Sequence, residues 1–309
     1  MNSILIELPT WLGDAVMSSP AIENLLDHLG NVEITLLGSQ ASIDVFKNHP
    51  KVIKIFVLDK SLFNLYKTLK SLKQFDMFFS FRASIRATLT KFCIKANIKF
   101  QFDKNKHIKC HQVKKYNNFI NDSLKINLSP GKLTLHNQTL AKDKKNKLLG
   151  INPGASYGSS KQWYPNKFAE VAIALSSEFD IIIFGGSKEK QIARDIEKYL
   201  VKKGVSNFFN LAAKTSINQL INEIDNLDLL VTGDSGPMHL AAALNVPTVA
   251  IFGPTKDTET SQWMNEKSKI VKTNLECQPC MKRTCPLKHH KCMKDINAED
   301  VLKAVNEIY

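Results

Sequence analysis

An aspartate stands at an abrupt transition near the start of the chain. The run Ile4–Leu8 is apolar, Pro9 stops it, and Trp11-Leu12-Gly13-Asp14 opens a stretch with helical periodicity. Aspartate is favoured at helix starts, so capping is one reading of Asp14. The other is chemical. A carboxylate partly removed from water by Trp11 and Leu12 has its pKa raised and can accept a proton from an incoming hydroxyl. A second group of residues suits an anion. In TGDSGPMHLAAAL (232–244), Pro237 fits the first helical position and Ser235 or Gly236 the cap. The free N–H groups and dipole of such a helix suit a diphosphate. GASYGSSKQWYP, which begins at Gly154, adds Lys161 as a point charge for the same phosphate. FGGSKE (184–189) offers a glycine turn and Glu189 for a ribose hydroxyl. Each has a plainer alternative: a capped helix, a solvated lysine, an ordinary turn. No GxxxxGK[ST] occurs, which argues against a P-loop enzyme.

The elements that must position these residues alternate. Strands are predicted at Ser3–Leu8, Val32–Leu37, Val52–Leu58, Met77–Phe81 and Ile98–Phe102, with helices near 15–28, 40–47, 61–73 and 84–96. A second series follows, with strands at Leu148–Asn152, Ile181–Phe184, Phe208–Leu211, Leu229–Thr232 and Thr248–Phe252. Its helices lie near 166–176, 188–202, 217–225 and 237–244. This alternation predicts an α/β chain of two doubly wound parallel sheets. The polar stretch LAKDKKNK (140–147) reads as the linker, giving domains 1–145 and 146–309 facing each other across a cleft. All the residues singled out above follow strand ends, where ligands of such sheets bind.

The length of 309 residues fits two domains, and the apolar (43%) and charged (23%) fractions are those of a globular protein. No run of 18 apolar residues predicts a membrane span, and the acidic N-terminus with no basic stretch does not read as a secretory signal. The formal charge of +13 favours a polyanionic partner. From Arg82 to Lys115 ten Lys or Arg residues face one acid, Asp103. That cluster reads either as a solvated face or as an anion-facing surface.

The quoted motifs together carry a resemblance. LPTWLGDAVMSSPAIENL (8–25), NPGAS with Lys161 and Trp163-Tyr164-Pro165, and TGDSGPMHLAAALNVPTVAIFGPT (232–255) resemble, in order, the ADP-heptose:lipopolysaccharide heptosyltransferases of glycosyltransferase family 9. The LP-x-WLGDAVM form is similar to heptosyltransferase II rather than I. The resemblance implies a GT-B fold, with two facing Rossmann-like domains and a last helix, near Asn297–Ile308, able to pack back on the first. It implies inverting transfer of L-glycero-D-manno-heptose from ADP-heptose to the first heptose of the inner core, without an essential metal or other cofactor. Asp14 matches the general base, and Lys161 the lysine at the donor phosphates. Ser235 and Gly236 match the diphosphate cradle; Asp234 and His239 fall in the same signature. Gly13 and Gly154 belong to the matching turns, and Glu189, or Ser187 in its place, to the ribose contact. Arg82 and Arg86 would meet the phosphates of a Kdo–lipid A core acceptor. A cytoplasmic enzyme, peripheral on the inner membrane, follows from that acceptor. Heptosyltransferase I or another GT-B nucleotide-sugar transferase are the nearest alternatives, and the stretch LAAKTS (211–216) does not identify the base. A basic nucleic-acid binder fits less well, because aromatic–basic interleaving and a recognition-helix signature are missing.

The cysteines divide into isolated Cys93 and Cys110 and a C-x2-C-x4-C-x6-C cluster, Cys277, Cys280, Cys285 and Cys292. The first pair has the spacing of half a zinc site; the second pair does not. Reduced thiols that pack a loop are favoured over structural zinc or a disulfide.

Overall fold

The computed structural model describes residues 2–58, 61–136, 146–155 and 157–309. The chain forms two compact units, Met1–Asn137 and Gln138–Tyr309. Residues 140–145 of the expected linker lie outside the described residues, and Lys147 opens a strand.

The first unit runs β1 (Asn2–Glu7), α1 (Leu12–Met17), α2 (Ser19–Leu29), β2 (Val32–Gly38), α3 (Gln40–Phe46), β3 (Val52–Val57), α4 (Leu62–Ser71), β4 (Phe75–Ser80), α5 (Ile85–Cys93), β5 (Ala96–Gln101) and α6 (Gln112–Leu124). Its strands are all parallel, in the order β3-β2-β1-β4-β5. The chain winds outward from β1, returns, and continues from β4 on the other side. Right-handed crossovers then put α4 and α5 on the face opposite α1, α2 and α3. On that face Leu65, Leu69, Leu72 and Ile94 pack over Leu5, Leu37 and Phe78.

The sequence dictates the local stops. Pro20 sits in the first turn of α2, where its missing N–H costs nothing. Ile22, Leu25 and Leu26 give α2 its buried stripe, and Gly30 ends it at a φ of 69°. Ser39 caps α3 by accepting the N–H of Ser42. Ser39 also donates to the carbonyl of Thr10 (2.8 Å), and Ser42 to that of Pro9. The cap of α3 thereby fixes the loop that leads into Asp14.

The second unit runs β6 (Lys147–Asn152), α7 (Pro165–Leu175), β7 (Phe179–Ile183), α8 (Lys190–Lys202), β8 (Phe208–Asn210), α9 (Ile217–Asp225), β9 (Leu229–Gly233), α10 (Gly236–Ala243), β10 (Thr248–Ile251), α11 (Asp257–Thr260), β11 (Ser268–Val271), α12 (Lys291–Lys294) and α13 (Ala298–Asn306). The order is β11-β10-β9-β6-β7-β8, again parallel. Each sheet therefore reverses direction at one place, between β1 and β4 in the first and between β6 and β9 in the second.

The expected strands and helices are present, with ends shifted by a few residues. The run expected near 15–28 is two helices, broken at Ser18, whose hydroxyl bonds back to the carbonyl of Ala15. Helix α6 and strand β11 were not expected. The first is rich in Asn and Lys and buries few apolar side chains, chiefly Val113, Tyr116, Phe119 and Ile120; the second is four residues long. Helix α13 packs within the second unit. Val301, Ala304 and Val305 belong to the core of the second unit. Lys167 of α7 holds the preceding segment through the carbonyls of Lys294 (2.6 Å) and Ile296, and the Trp163 indole donates to the latter (3.2 Å).

One polar cluster pins the end of the first unit. Glu23 of α2 accepts from His136 Nε2 at 2.8 Å and lies 3.6 Å from His49 Nε2. His49 Nδ1 accepts the Lys51 N–H, so its proton sits on Nε2, toward the carboxylate. Burial pushes Glu23 up, but the hydrogen bonds from His49 and His136 outweigh it and hold its carboxyl below the usual range. Such a group contributes stability above the unfolded carboxyl pKa of about 4.3 and loses it as pH falls through the folded value. The cost of Glu23→Gln is therefore expected to be largest at neutral pH and to shrink below about pH 4. Urea-unfolding midpoints of both proteins across that range check it.

Candidate active site

At the reversal point of the first sheet, Glu7 and Ser80 are register partners on β1 and β4. Glu7 is fully buried. Its carboxylate accepts from Ser80 Oγ at 2.6 Å and from Arg82 Nη1 at 3.2 Å. Burial pushes the Glu7 carboxyl up, and the Ser80 hydrogen bond and the charges of Arg82 and Arg86 pull it back in part. The sequence reading assigned Arg82 and Arg86 to an acceptor and overlooked Glu7. The structure shows Arg82 engaged with Glu7 and Arg86 half-buried beside it. An acid inside an otherwise apolar strand was the available signal.

Asp14 lies seven residues beyond Glu7, in the first turn of α1. Trp11, not Asp14, occupies the N-cap position, and Gly13 is buried. Trp11 is 57% exposed. Tyr116 of α6 reaches Asp14, its hydroxyl donating to Asp14 Oδ1 at 3.4 Å. Burial, and then the charge of Asp14, push the Tyr116 phenol well above the usual tyrosine range. Tyr116 therefore stays protonated and remains a donor. Phe81 and Phe102 pack on its ring. Sequence reasoning missed Tyr116 because it missed α6.

The reversal point of the second sheet is built the same way. Asn152 and Thr232 are register partners on β6 and β9. The Asn152 amide donates to Thr232 Oγ1 and to Ser235 Oγ, both at 2.9 Å. Ser235 is the N-cap of α10, Gly236 its first residue, and Pro237 lies in its first turn. The helix thus starts at the sheet's crevice, with its N-terminal amides pointing out. Asp234 is buried and accepts from Lys161 Nζ (2.5 Å) and Thr255 Oγ1 (2.6 Å). Lys161 Nζ also reaches the Asp234 carbonyl at 3.3 Å and lies 4.8 Å from the centre of the Tyr157 ring. Two of its three N–H donors are thereby directed to Asp234. His239 is buried on α10.

Glu189 belongs to a short 3-10 turn before α8 and is buried, whereas Ser187 is exposed. A Cβ on Gly154 would stand 3.3 Å from Glu189 Cγ, and one on Gly186 would stand 2.8 Å from Glu189 Oε2. The turns after β6 and β7 therefore close around that carboxylate. Ala213, in the stretch 211–216, joins them by donating to the carbonyl of Gly185 at 2.7 Å. The structure thus brings Gly154, Lys161, Glu189, Asp234, Ser235 and Gly236 to the strand ends of one unit, and Gly13 and Asp14 to those of the other.

The cysteine-rich segment holds the lysine loop. Ser160 takes the carbonyl of Arg283 through its N–H and that of Lys282 through Oγ. His290 Nε2 donates to the carbonyl of Ser160 at 2.9 Å, which leaves Nδ1 to accept from the Tyr164 hydroxyl. All six cysteines are free thiols. Cys277, Cys280, Cys285 and Cys292 line one small pocket with Ser160 and Pro254. Burial, with the neighbouring thiols adding to it, pushes Cys292 up to about 11, so it stays protonated at neutral pH.

Two parallel α/β units of this kind have the architecture of the GT-B glycosyltransferases. The family model "Glycosyltransferase family 9 (heptosyltransferase)" matches residues 62–291, and the chain belongs to that family. It is 43% identical to lipooligosaccharide heptosyltransferase 2 of Campylobacter jejuni serotype O:2, over 99% of this chain and 98% of the relative. Lipopolysaccharide heptosyltransferase 2 of Escherichia coli K12 is 30% identical over 52% of this chain and 46% of its own length. The solved structure of E. coli ADP-heptose lps heptosyltransferase II superposes with a TM-score of 0.83 at 21% identity, covering 99% of this chain and 98% of that one.

Gly158 tests the loop arrangement. A Cβ there would collide with the carbonyl of Arg283. Gly158→Ala is expected to displace Lys161 and weaken ADP binding by roughly tenfold, about 1.4 kcal/mol, while leaving the thermal midpoint within a few degrees. Calorimetric titration and thermal denaturation of the two proteins check this.

Proposed function

We propose that the chain transfers L-glycero-D-manno-heptose from ADP-heptose to the first heptose of the lipopolysaccharide or lipooligosaccharide inner core, with inversion at the anomeric carbon. The observation that carries the reading is the start of α10 at the β6/β9 reversal, with Lys161 fixed beside it by Asp234. The names of the relatives support the choice of heptose and of acceptor.

In this mechanism the acceptor hydroxyl attacks the anomeric carbon as its proton passes to the Asp14 carboxylate. The bond from that carbon to the diphosphate oxygen breaks on the opposite side, and ADP leaves with the electron pair. Negative charge grows on the leaving phosphate, where the α10 amides and the third N–H of Lys161 meet it. Donors that meet charge in the transition state act on rate as well as affinity. The Tyr116 hydroxyl keeps the Asp14 carboxylate oriented and, staying protonated, never competes with it for the proton. Glu189 at the turns after β6 and β7 serves the ribose, and the acceptor is a phosphorylated Kdo–lipid A core at the inner face of the membrane. The four clustered thiols act by packing the lysine loop, and metal analysis of purified protein tests that against structural zinc.

Transfer from ADP-heptose to mono-heptosylated Kdo–lipid A is the test, run with wild type and Asp14→Asn. A positioned base contributes roughly 10²–10⁴-fold, so the variant is expected to lose two or more orders of magnitude in kcat with ADP affinity retained. Transfer only to the unheptosylated acceptor would reassign the acceptor. Transfer from a different nucleotide sugar alone would overturn the donor.

A further inference from the structure

Helices α4 and α5 cover one face of the first sheet, and both expose large apolar side chains where solvent-facing helices carry mostly polar residues. On α5, Ile85 is 84% exposed, Leu89 50% and Phe92 85%. At about 100° per residue these three fall within roughly 60° of one another. They lie on the side opposite Ala87, Thr90 and Ile94, which are buried. On α4, Phe63 is 75% and Tyr66 50% exposed, while Leu65 and Leu69 are buried. Single exposed apolar residues are ordinary, but a stripe at helical spacing beside a second apolar pair marks a binding surface.

The charge around the stripe selects its partner. Residues 61–102 hold eight Lys or Arg and one acid, Asp76. Asp76 is bonded to the backbone and hydroxyl of Ser3. Lys67, Lys70, Lys73 and Lys95 are exposed, and Lys99 reaches the carbonyl of Phe92 at 3.4 Å. The Lys70 ammonium lies 4.8 Å from the centre of the Tyr66 ring. We infer that the α4–α5 face docks on an anionic bilayer, with Ile85, Leu89 and Phe92 entering the headgroup–acyl boundary and the lysines bearing on the headgroups. Amphipathic helices bind anionic lipid by that combination of buried apolar area and flanking positive charge. A second copy of the chain fits less well, because protein interfaces are depleted in lysine. Nucleic acid would use the lysines and gain nothing from Ile85 and Leu89. The inference builds on the reading of the acceptor as a membrane-borne glycolipid and adds the surface that brings the enzyme to it.

The experiment is vesicle flotation without acceptor or donor, so that it is independent of transfer. The vesicles are phosphatidylethanolamine–phosphatidylglycerol in one arm and phosphatidylcholine alone in the other. Wild type is compared with Ile85→Ser/Leu89→Ser/Phe92→Ser and with Lys67→Glu/Lys70→Glu/Lys95→Glu. Wild type is expected to partition onto the anionic vesicles and to be released by salt. Each variant is expected to bind at least tenfold more weakly, with ADP binding unchanged as proof of folding. Phe92→Trp adds a direct readout: brominated lipids should quench it beyond the background of the native tryptophans. Equal flotation of wild type and the serine variant would overturn the proposal, as would absent quenching at position 92. So would binding to random DNA that rivals the vesicles, or a changed oligomeric state in the serine variant with flotation intact. Lost transfer with flotation preserved would instead count against the catalytic reading alone.

Discussion

A doubly wound parallel sheet sends its chain in two opposite directions from one point, and the residues of the candidate site gather around the places where that happens. At such a point the two adjacent strands feed turns that diverge, leaving a crevice that backbone alone does not fill. Both units fill the floor of that crevice with a cross-strand polar pair, Glu7 with Ser80 and Asn152 with Thr232. The pairs differ in kind. The first is ionic and drawn tight by Arg82; the second is neutral and passes its hydrogen bonds on to the cap of α10. A buried carboxylate is costly unless satisfied. Ser80 and Arg82 satisfy it, and in doing so they fix the geometry of the turn after β4.

Above these floors, the residues that could act on a substrate are held from a distance. Asp14 is reached by Tyr116, more than a hundred positions later in the chain, and Lys161 by Asp234, which Thr255 holds in turn. Preorganisation of this sort matters more than contact strength, because a small misplacement of a reacting group can cost two orders of magnitude in rate.

Much of this was legible in the residues. The alternation of apolar runs and amphipathic stretches located the strands, since buried parallel strands are almost uninterruptedly apolar. The proline and serine at the start of α10 and the aspartate after β1 were readable as punctuation. What remained hidden was tertiary. Glu7 gained a role only with its partners Ser80 and Arg82 in place. Arg82 looked like a surface charge because sequence gives no sign of an ion pair 75 positions away. Helix α6 escaped because few of its positions are apolar and its Asn residues favour caps and turns over helix interiors.

The clasp between the lysine loop and the cysteine-rich segment has an evolutionary corollary. Gly158, Ser160 and Tyr164 meet Lys282, Arg283 and His290 through backbone carbonyls as much as through side chains. Contacts of that kind tolerate changes of side chain but not changes of length. Substitutions can therefore accumulate around Cys285 and His289 while the spacing from Pro279 to Cys292 is kept. A change of length in either stretch would pull those carbonyls off their donors, and with them the loop that carries Lys161.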